Sequence, residues 1–133
     1  MFASFFKKIW RRNKPLASRT TAQIGRDGED AAVKHLSRLG FQVVERNWSC
    51  KAGEMDIICR HQNAWVFVEV KASRRLTEFP PETRVNQDKR RRLHTLARFY
   101  LGHKYGVVPY RFDVISVWWE HDDVKIRHIE NAF

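Results

Sequence analysis

The chain has 133 residues, 43% of them hydrophobic and 30% charged, with a net charge of +10. That length suits one domain with its own core, and the balance of apolar and charged residues excludes a disordered chain. The positive excess points to a polyanionic partner.

The charge is clustered. Residues 1–20 carry six Lys/Arg and no acid, residues 71–92 carry eight against three acids, and residues 109–133 carry three against five. Clustering on this scale favours nucleic acid or an anionic membrane over a merely solvated surface. Cys50 and Cys59 make neither a disulfide framework nor a C-x-x-C ligand pair. A reducing cytoplasm is the expected location. No apolar run is long enough to span a membrane.

At the N-terminus, "MFASFFKKIWRRNK" places apolar residues before its charges, the reverse of a signal peptide. Phe2, Phe5, Phe6, Ile9 and Trp10 follow helical spacing, with Lys7, Lys8, Arg11 and Arg12 on the other faces. The expectation is a basic amphipathic extension and linker over residues 1–21. It would dock on a partner protein, on a membrane surface or on its own domain, the membrane being the weakest of the three; the plain alternative is a disordered terminus.

The folded domain is expected over residues 22–133. Its first helix has a stripe of Ile24, Gly28, Ala31, Ala32, Leu36 and Leu39, closed by Gly40. Glu29 lies at the edge of that stripe. It is either an ordinary early-helix acid favoured by the helix dipole, or a carboxylate reaching past the core toward a strand. Three strands follow, "FQVVERNW", "EMDIICR" and "WVFVEVKA", as an antiparallel meander. In the second, Met55, Ile57 and Cys59 are expected on one face and Glu54, Asp56 and Ile58 on the other. In the third, Val66, Val68 and Val70 share one face, and Trp65, Phe67, Glu69 and Lys71 the other.

If the acidic faces match, Asp56 and Glu69 meet, with Lys71 just beyond. Two close carboxylates repel unless a cation lies between them, and hard oxygen ligands suit Mg2+ or Mn2+. The competing reading is a structural Glu69–Lys71 ion pair at a strand end. It requires Lys71 in direct contact with Glu69 and Asp56 elsewhere.

The second long helix, "VNQDKRRRLHTLARFYLG", turns Leu93, Leu96, Ala97, Tyr100 and Leu101 inward. That face extended back one turn reaches Lys89, then Val85. Lys89 therefore either faces the same site or snorkels along the core edge. Arg90, Arg91 and Arg92 fan outward, where phosphates could be held. "YRFDVISVWWE" and "DVKIRHIENAF" close the chain as two strands, or as one strand and an edge segment, with Trp118 and Trp119 on opposite faces and one of them expected to be exposed. The histidines show no metal-ligand spacing.

The segments "GRDGEDAAVKHL", "RNWSCKAGEMDII", "VFVEVKASRR", "KRRRLHTLARFYL", "YRFDVISV" and "HIENAF" carry a resemblance. In this order they resemble the bacterial YraN-type proteins of the PD-(D/E)xK nuclease-like superfamily, over roughly residues 22–133. The G-E-x-D and V-E-V-K pair is the specific part; Glu54-Met55-Asp56 replaces the P-D dipeptide. The resemblance implies an α/β restriction-endonuclease-like core, a mixed central sheet of about five strands flanked by helices. It also implies Mg2+- or Mn2+-dependent phosphodiester hydrolysis in DNA, with structured or branched DNA of repair or recombination as a candidate substrate and RNA left open. By position, Asp56 and Glu69 would hold the metal, with the Val70 carbonyl as a further ligand and Glu29 acting directly or through water. Lys71 is the motif's lysine. Lys89 falls near a supplementary position for which Gln87 competes. Arg74, Arg75, Arg90, Arg91 and Arg92 would hold nucleic-acid phosphates. A homodimer is a further expectation, since similar resolvases work as pairs. The rival reading is a catalytically inactive nucleic-acid-binding or adaptor protein that recruits a partner through its basic N-terminal helix.

Overall fold

The computed structural model describes residues 14–76, 86–104 and 106–133. The stretch Phe2–Trp10 and the inward position Val85 lie outside the described residues. The chain forms a short 3-10 turn (Leu16–Ser18), α1 (Thr21–Arg38), β1 (Gln42–Cys50), β2 (Gly53–His61), β3 (Ala64–Ala72), α2 (Gln87–Leu101), a second 3-10 turn (Gly102–Lys104), β4 (Tyr110–Glu120) and β5 (Asp123–Ile129). The five strands lie in the order β1-β2-β3-β4-β5. β1–β2, β2–β3 and β4–β5 are antiparallel, whereas β3–β4 is parallel. A parallel neighbour needs a crossover, and α2 lies within the crossover. This α/β arrangement is a restriction-endonuclease-like core, a mixed sheet with a helix on each side.

Two apolar layers hold it together. On one side, Ile24, Ala32 and Leu36 of α1 meet Ile57, Cys59, Val66, Val68, Ile115, Val117 and Trp119. On the other, Leu93, Leu96, Ala97 and Leu101 of α2 meet Met55, Ile58, Phe67 and Phe112. α1 starts where Thr20 and Gln23 cap each other, the Gln23 N–H donating to Thr20 Oγ1 at 3.1 Å and the Thr20 N–H to Gln23 Oε1 at 2.7 Å. Gly28 is glycine for contact: a Cβ there would collide with the Ala72 Cβ. The helix thus lies tight against the end of β3, which brings Glu29 toward the same end of the sheet. Leu39, expected in the apolar stripe, is 51% exposed. It is the C-cap of α1, where the helical face no longer continues, and the chain turns at Gly40 with φ +86°.

Two further expectations need correction. Met55 does not share a face with Ile57 and Cys59; it packs on the α2 side while they pack on the α1 side. The break falls opposite a local irregularity in the partner strand. Asn47 has φ +51° and lies between the pairs Arg46↔Ile57 and Trp48↔Met55, directly across from Asp56. A left-handed residue interrupts the regular two-residue alternation, and Asn is among the residues that tolerate it. Trp118 and Trp119 are both buried, neither being exposed as expected. An arginine covers each ring, Arg127 over Trp118 at 5.7 Å and Arg19 over Trp119 at 5.8 Å.

Part of the stretch expected to be linker lies on the domain. Leu16 packs against the α1-side core, Arg19 pairs with Asp27 at 3.2 Å, and the Arg74 guanidinium donates to the Arg19 carbonyl at 2.6 Å. Among the described residues no helix is long and apolar enough to cross a membrane.

Candidate active site

The β2–β3 ladder runs from His61↔Ala64 to Ile57↔Val68 and stops. Asp56 and Glu69 come next on their strands. In place of a ladder bond, the Val70 N–H donates to Asp56 Oδ2 at 2.8 Å. Val70 therefore meets Asp56 through its amide, while its side chain packs on the α1-side core. Beyond the end of the ladder the strands leave a pocket of about 240 Å³, lined by Gly53, Glu54, Met55, Asp56 and Glu69 from the sheet and by Lys89, Arg92, Leu93 and Leu96 from α2.

Inside it, Glu69 carries an asymmetric load. The Lys89 ammonium contacts Oε1, whereas Lys71 Nζ stands 3.9 Å from the same oxygen. Glu69 Oε2 is buried and has no hydrogen-bond partner among the described residues. A bare Glu69–Lys71 ion pair does not describe this geometry, because Lys89 makes the close contact and Asp56 lines the same pocket. Lys89 is in place because Asn86 caps α2, its side chain accepting from the Lys89 N–H at 2.9 Å, and because Leu93 and Leu96 bury the adjoining face.

Glu29 stands to the side. Its Oε1 accepts from Arg46 Nε at 3.2 Å and from Asn47 Nδ2 at 2.9 Å, and Arg46 Nη2 also reaches Asp30 at 2.6 Å. The sequence does not single out these two residues of β1, because regular strand alternation gives no reason to expect Asn47 to turn toward α1. Gln87, the competitor of Lys89, is exposed and does not line the pocket.

The electrostatics follow from burial. Burial raises the Asp56 carboxyl above the ordinary aspartate range; the Val70 N–H opposes this, the charges of Glu69 and Glu29 add to it, and Lys89 opposes it again. Burial lowers the Lys71 ammonium below the ordinary lysine range; Glu69 counteracts this and the neighbouring Lys89 reinforces it. Asp56, Glu69 and Lys89 thus share one pocket, Lys71 borders it through Glu69, and Glu29 acts on Asp56 through its charge.

The donor chemistry fits a hard divalent ion. Glu54, Asp56 and Glu69 line one pocket, and one buried oxygen, Glu69 Oε2, has no hydrogen-bond partner among the described residues. Among the described residues no three His, Cys, Asp or Glu side chains converge to hold a metal by themselves. The fit is therefore the Mg2+ kind, with one or two carboxylates and the remaining positions left to water and substrate oxygens.

The arginines divide. Arg92 lines the pocket, Arg91 is 78% exposed, and Arg90 lies over the Phe133 ring at 5.8 Å. Arg75 is exposed just past β3, while Arg74 is turned to the Arg19 carbonyl. A larger groove of about 460 Å³ between α1 and β5, lined by Arg19, Asp27, Lys34, Trp119 and Asp123 among others, contains none of the expected catalytic residues.

Comparison with known proteins places these residues in a family context. The family described as uncharacterised protein family UPF0102 matches residues 28–117, a span that includes Glu29, Asp56, Glu69, Lys71 and Lys89. A UPF0102 protein of Thermodesulfovibrio yellowstonii is 40% identical over 113 residues, covering 84% of this chain and 96% of the relative. One from Caldicellulosiruptor saccharolyticus is 37% identical over 114 residues, covering 84% and 97%. One from Parafrankia sp. is 38% identical over 117 residues, covering 86% and 99%.

Proposed function

The chain belongs to the uncharacterised protein family UPF0102, and on that footing we propose that it is a metal-dependent nuclease hydrolysing phosphodiester bonds in DNA. The observation that carries this reading is Asp56 and Glu69 lining one pocket, with a buried Glu69 oxygen that has no hydrogen-bond partner among the described residues. Asp56 and Glu69 would hold Mg2+ or Mn2+, with Glu29 adding negative charge from the side. When bound, the ion supplies a water of lowered pKa and positive charge beside the scissile phosphate. Lys71, next to Glu69, orients a phosphate oxygen and stabilises the charge that develops on it. Arg92 takes a neighbouring phosphate at the rim, since its planar fork matches two phosphate oxygens. Arg90 and Arg91 hold the backbone without reading bases.

The test is cleavage of duplex, branched and single-stranded DNA with Mg2+ or Mn2+. Wild type cuts at least one of them, and Asp56→Ala loses about 100-fold or more, the scale on which losing one charge-stabilising group is felt. Equal behaviour of the two proteins removes the catalytic reading. One observation favours a second reading, DNA binding without turnover: Lys89 already neutralises Glu69. That reading expects salt-sensitive binding and no cleavage by either protein.

A further inference from the structure

Lys89 reaches the carboxylate pair from a different layer of the molecule. Asp56 and Glu69 come from adjacent strands of the sheet; Lys89 comes from the first turn of α2. Its ammonium contacts Glu69 Oε1, closer than Lys71 of the same strand, which stands 3.9 Å away. One oxygen of the carboxylate therefore already has a monovalent cation, while Oε2 has no hydrogen-bond partner among the described residues. An ammonium and a divalent ion seek this carboxylate for the same electrostatic reason, and each repels the other at a few ångströms. The Lys89 side chain is 31% exposed, and its flexible stem lets the head group leave Glu69 without moving the helix. Arg92, one turn further along α2, lines the same pocket, so a phosphate arriving there meets both cations at once.

We infer that Lys89 is a resident counter-ion that competes with the divalent ion for Glu69, and that a bound phosphate relieves the competition by drawing the ammonium away. This inference rests on the nuclease reading of the same pocket. With Lys89 on the phosphate, Oε1 becomes available beside Oε2, and the carboxylate can offer both oxygens. Metal and polynucleotide then bind cooperatively. By linkage, whatever factor the phosphate adds to metal affinity, the metal adds to phosphate affinity. Without nucleic acid the site holds divalent ions weakly.

The test uses the full chain and Mn2+ as the probe, its binding measured by calorimetry or paramagnetic resonance. Each protein is titrated alone and with a DNA duplex carrying uncleavable phosphorothioate linkages. Lys89→Met and Lys89→Gln are expected to bind Mn2+ about tenfold tighter or better, since one positive charge beside a divalent ion is worth that much even in a water-like medium. DNA then tightens Mn2+ binding less in these variants than in wild type. Lys89→Arg, which keeps the charge, retains weak Mn2+ binding and strong coupling. Wild-type or weaker Mn2+ affinity in both neutral variants overturns the inference, as does coupling to DNA as large as in wild type. If Asp56→Asn abolishes Mn2+ binding while Lys89→Met leaves it unchanged, the metal site stands and only the counter-ion role falls. If no protein binds Mn2+ with or without DNA, both fall together.

Discussion

Asp56 sits where a carboxylate is least comfortable. Burial and two neighbouring acids, Glu69 and Glu29, raise its proton affinity, and the Val70 N–H and Lys89 only partly compensate. The folded chain therefore binds this proton more tightly than the unfolded chain does. Between the ordinary aspartate value and the raised folded value the native state carries more protons, so stability falls as pH rises through that window. Asp56→Asn, which keeps an acceptor for the Val70 N–H, should be more stable than wild type at neutral pH by roughly 1 kcal/mol. The difference should vanish in acid, where wild-type Asp56 is itself protonated in both states. Thermal melts across pH measure it, and a less stable variant at neutral pH would contradict this account. At the same scale, Asp56, Glu69 and Lys71 were legible because two short motifs carry them. The Glu29 clamp of Arg46 and Asn47 was not. Alternation presumes extended backbone at every position, and the left-handed Asn47 breaks that presumption opposite Asp56.

Among the elements, the chain end after β5 has a structural part that hydrophobic pattern does not reveal. Asp113 of β4 is fully buried. It accepts from Arg111 at 3.0 and 3.2 Å, from His128 of β5 at 2.8 Å and from the Asn131 N–H at 3.0 Å. His128 in turn meets His35 of α1 at 3.1 Å. Next to this, the Ala132 N–H donates to the Phe112 carbonyl at 2.7 Å, and Phe133 stacks on Phe112 with ring centres 5.2 Å apart. One carboxylate thus ties β4, β5, the C-terminal tail and α1 together. Burial alone would raise its proton affinity, but His128, Arg111 and the Asn131 amide outweigh that and hold it below the ordinary aspartate range. A depressed folded value means that its stabilisation is fully present above the ordinary aspartate range and is lost as pH falls through the folded value. Asp113→Asn should cost about 3 kcal/mol at neutral pH, the scale for breaking one side of a buried charge pair, and progressively less in acid. Urea unfolding at both pH values checks this; a loss independent of pH would point to packing instead. The helices and strands themselves were readable from caps and periodicity. What escaped were Met55 changing face opposite the left-handed Asn47, and two tryptophans covered by arginines, one from the neighbouring strand β5 and one from before α1.

Across the whole molecule, the same physics joins charge to site. A net charge of +10 surrounds a pocket whose sheet-side wall is acidic, and α2 carries the boundary, with Lys89 and Arg92 facing in and Arg91 facing out. Composition points to a polyanionic partner only as an expectation, and it cannot say which cations the fold uses internally; Arg74, for one, is turned to the Arg19 carbonyl. Arg91, at 78% exposure and paired with Asp88 at 3.9 Å, is a direct probe of the outer surface. If it contacts a phosphate, Arg91→Ala should weaken binding to DNA duplexes of unrelated sequence by the same factor. It should also make the slope of log affinity against log salt shallower by about 0.9, the contribution of one neutralised phosphate. Fluorescence anisotropy over a salt series reads both quantities. An unchanged slope would remove Arg91 from the interface, whereas a loss confined to one sequence would mean that α2 reads bases, a role that Gln87 and the arginines of its first two turns are chemically able to take.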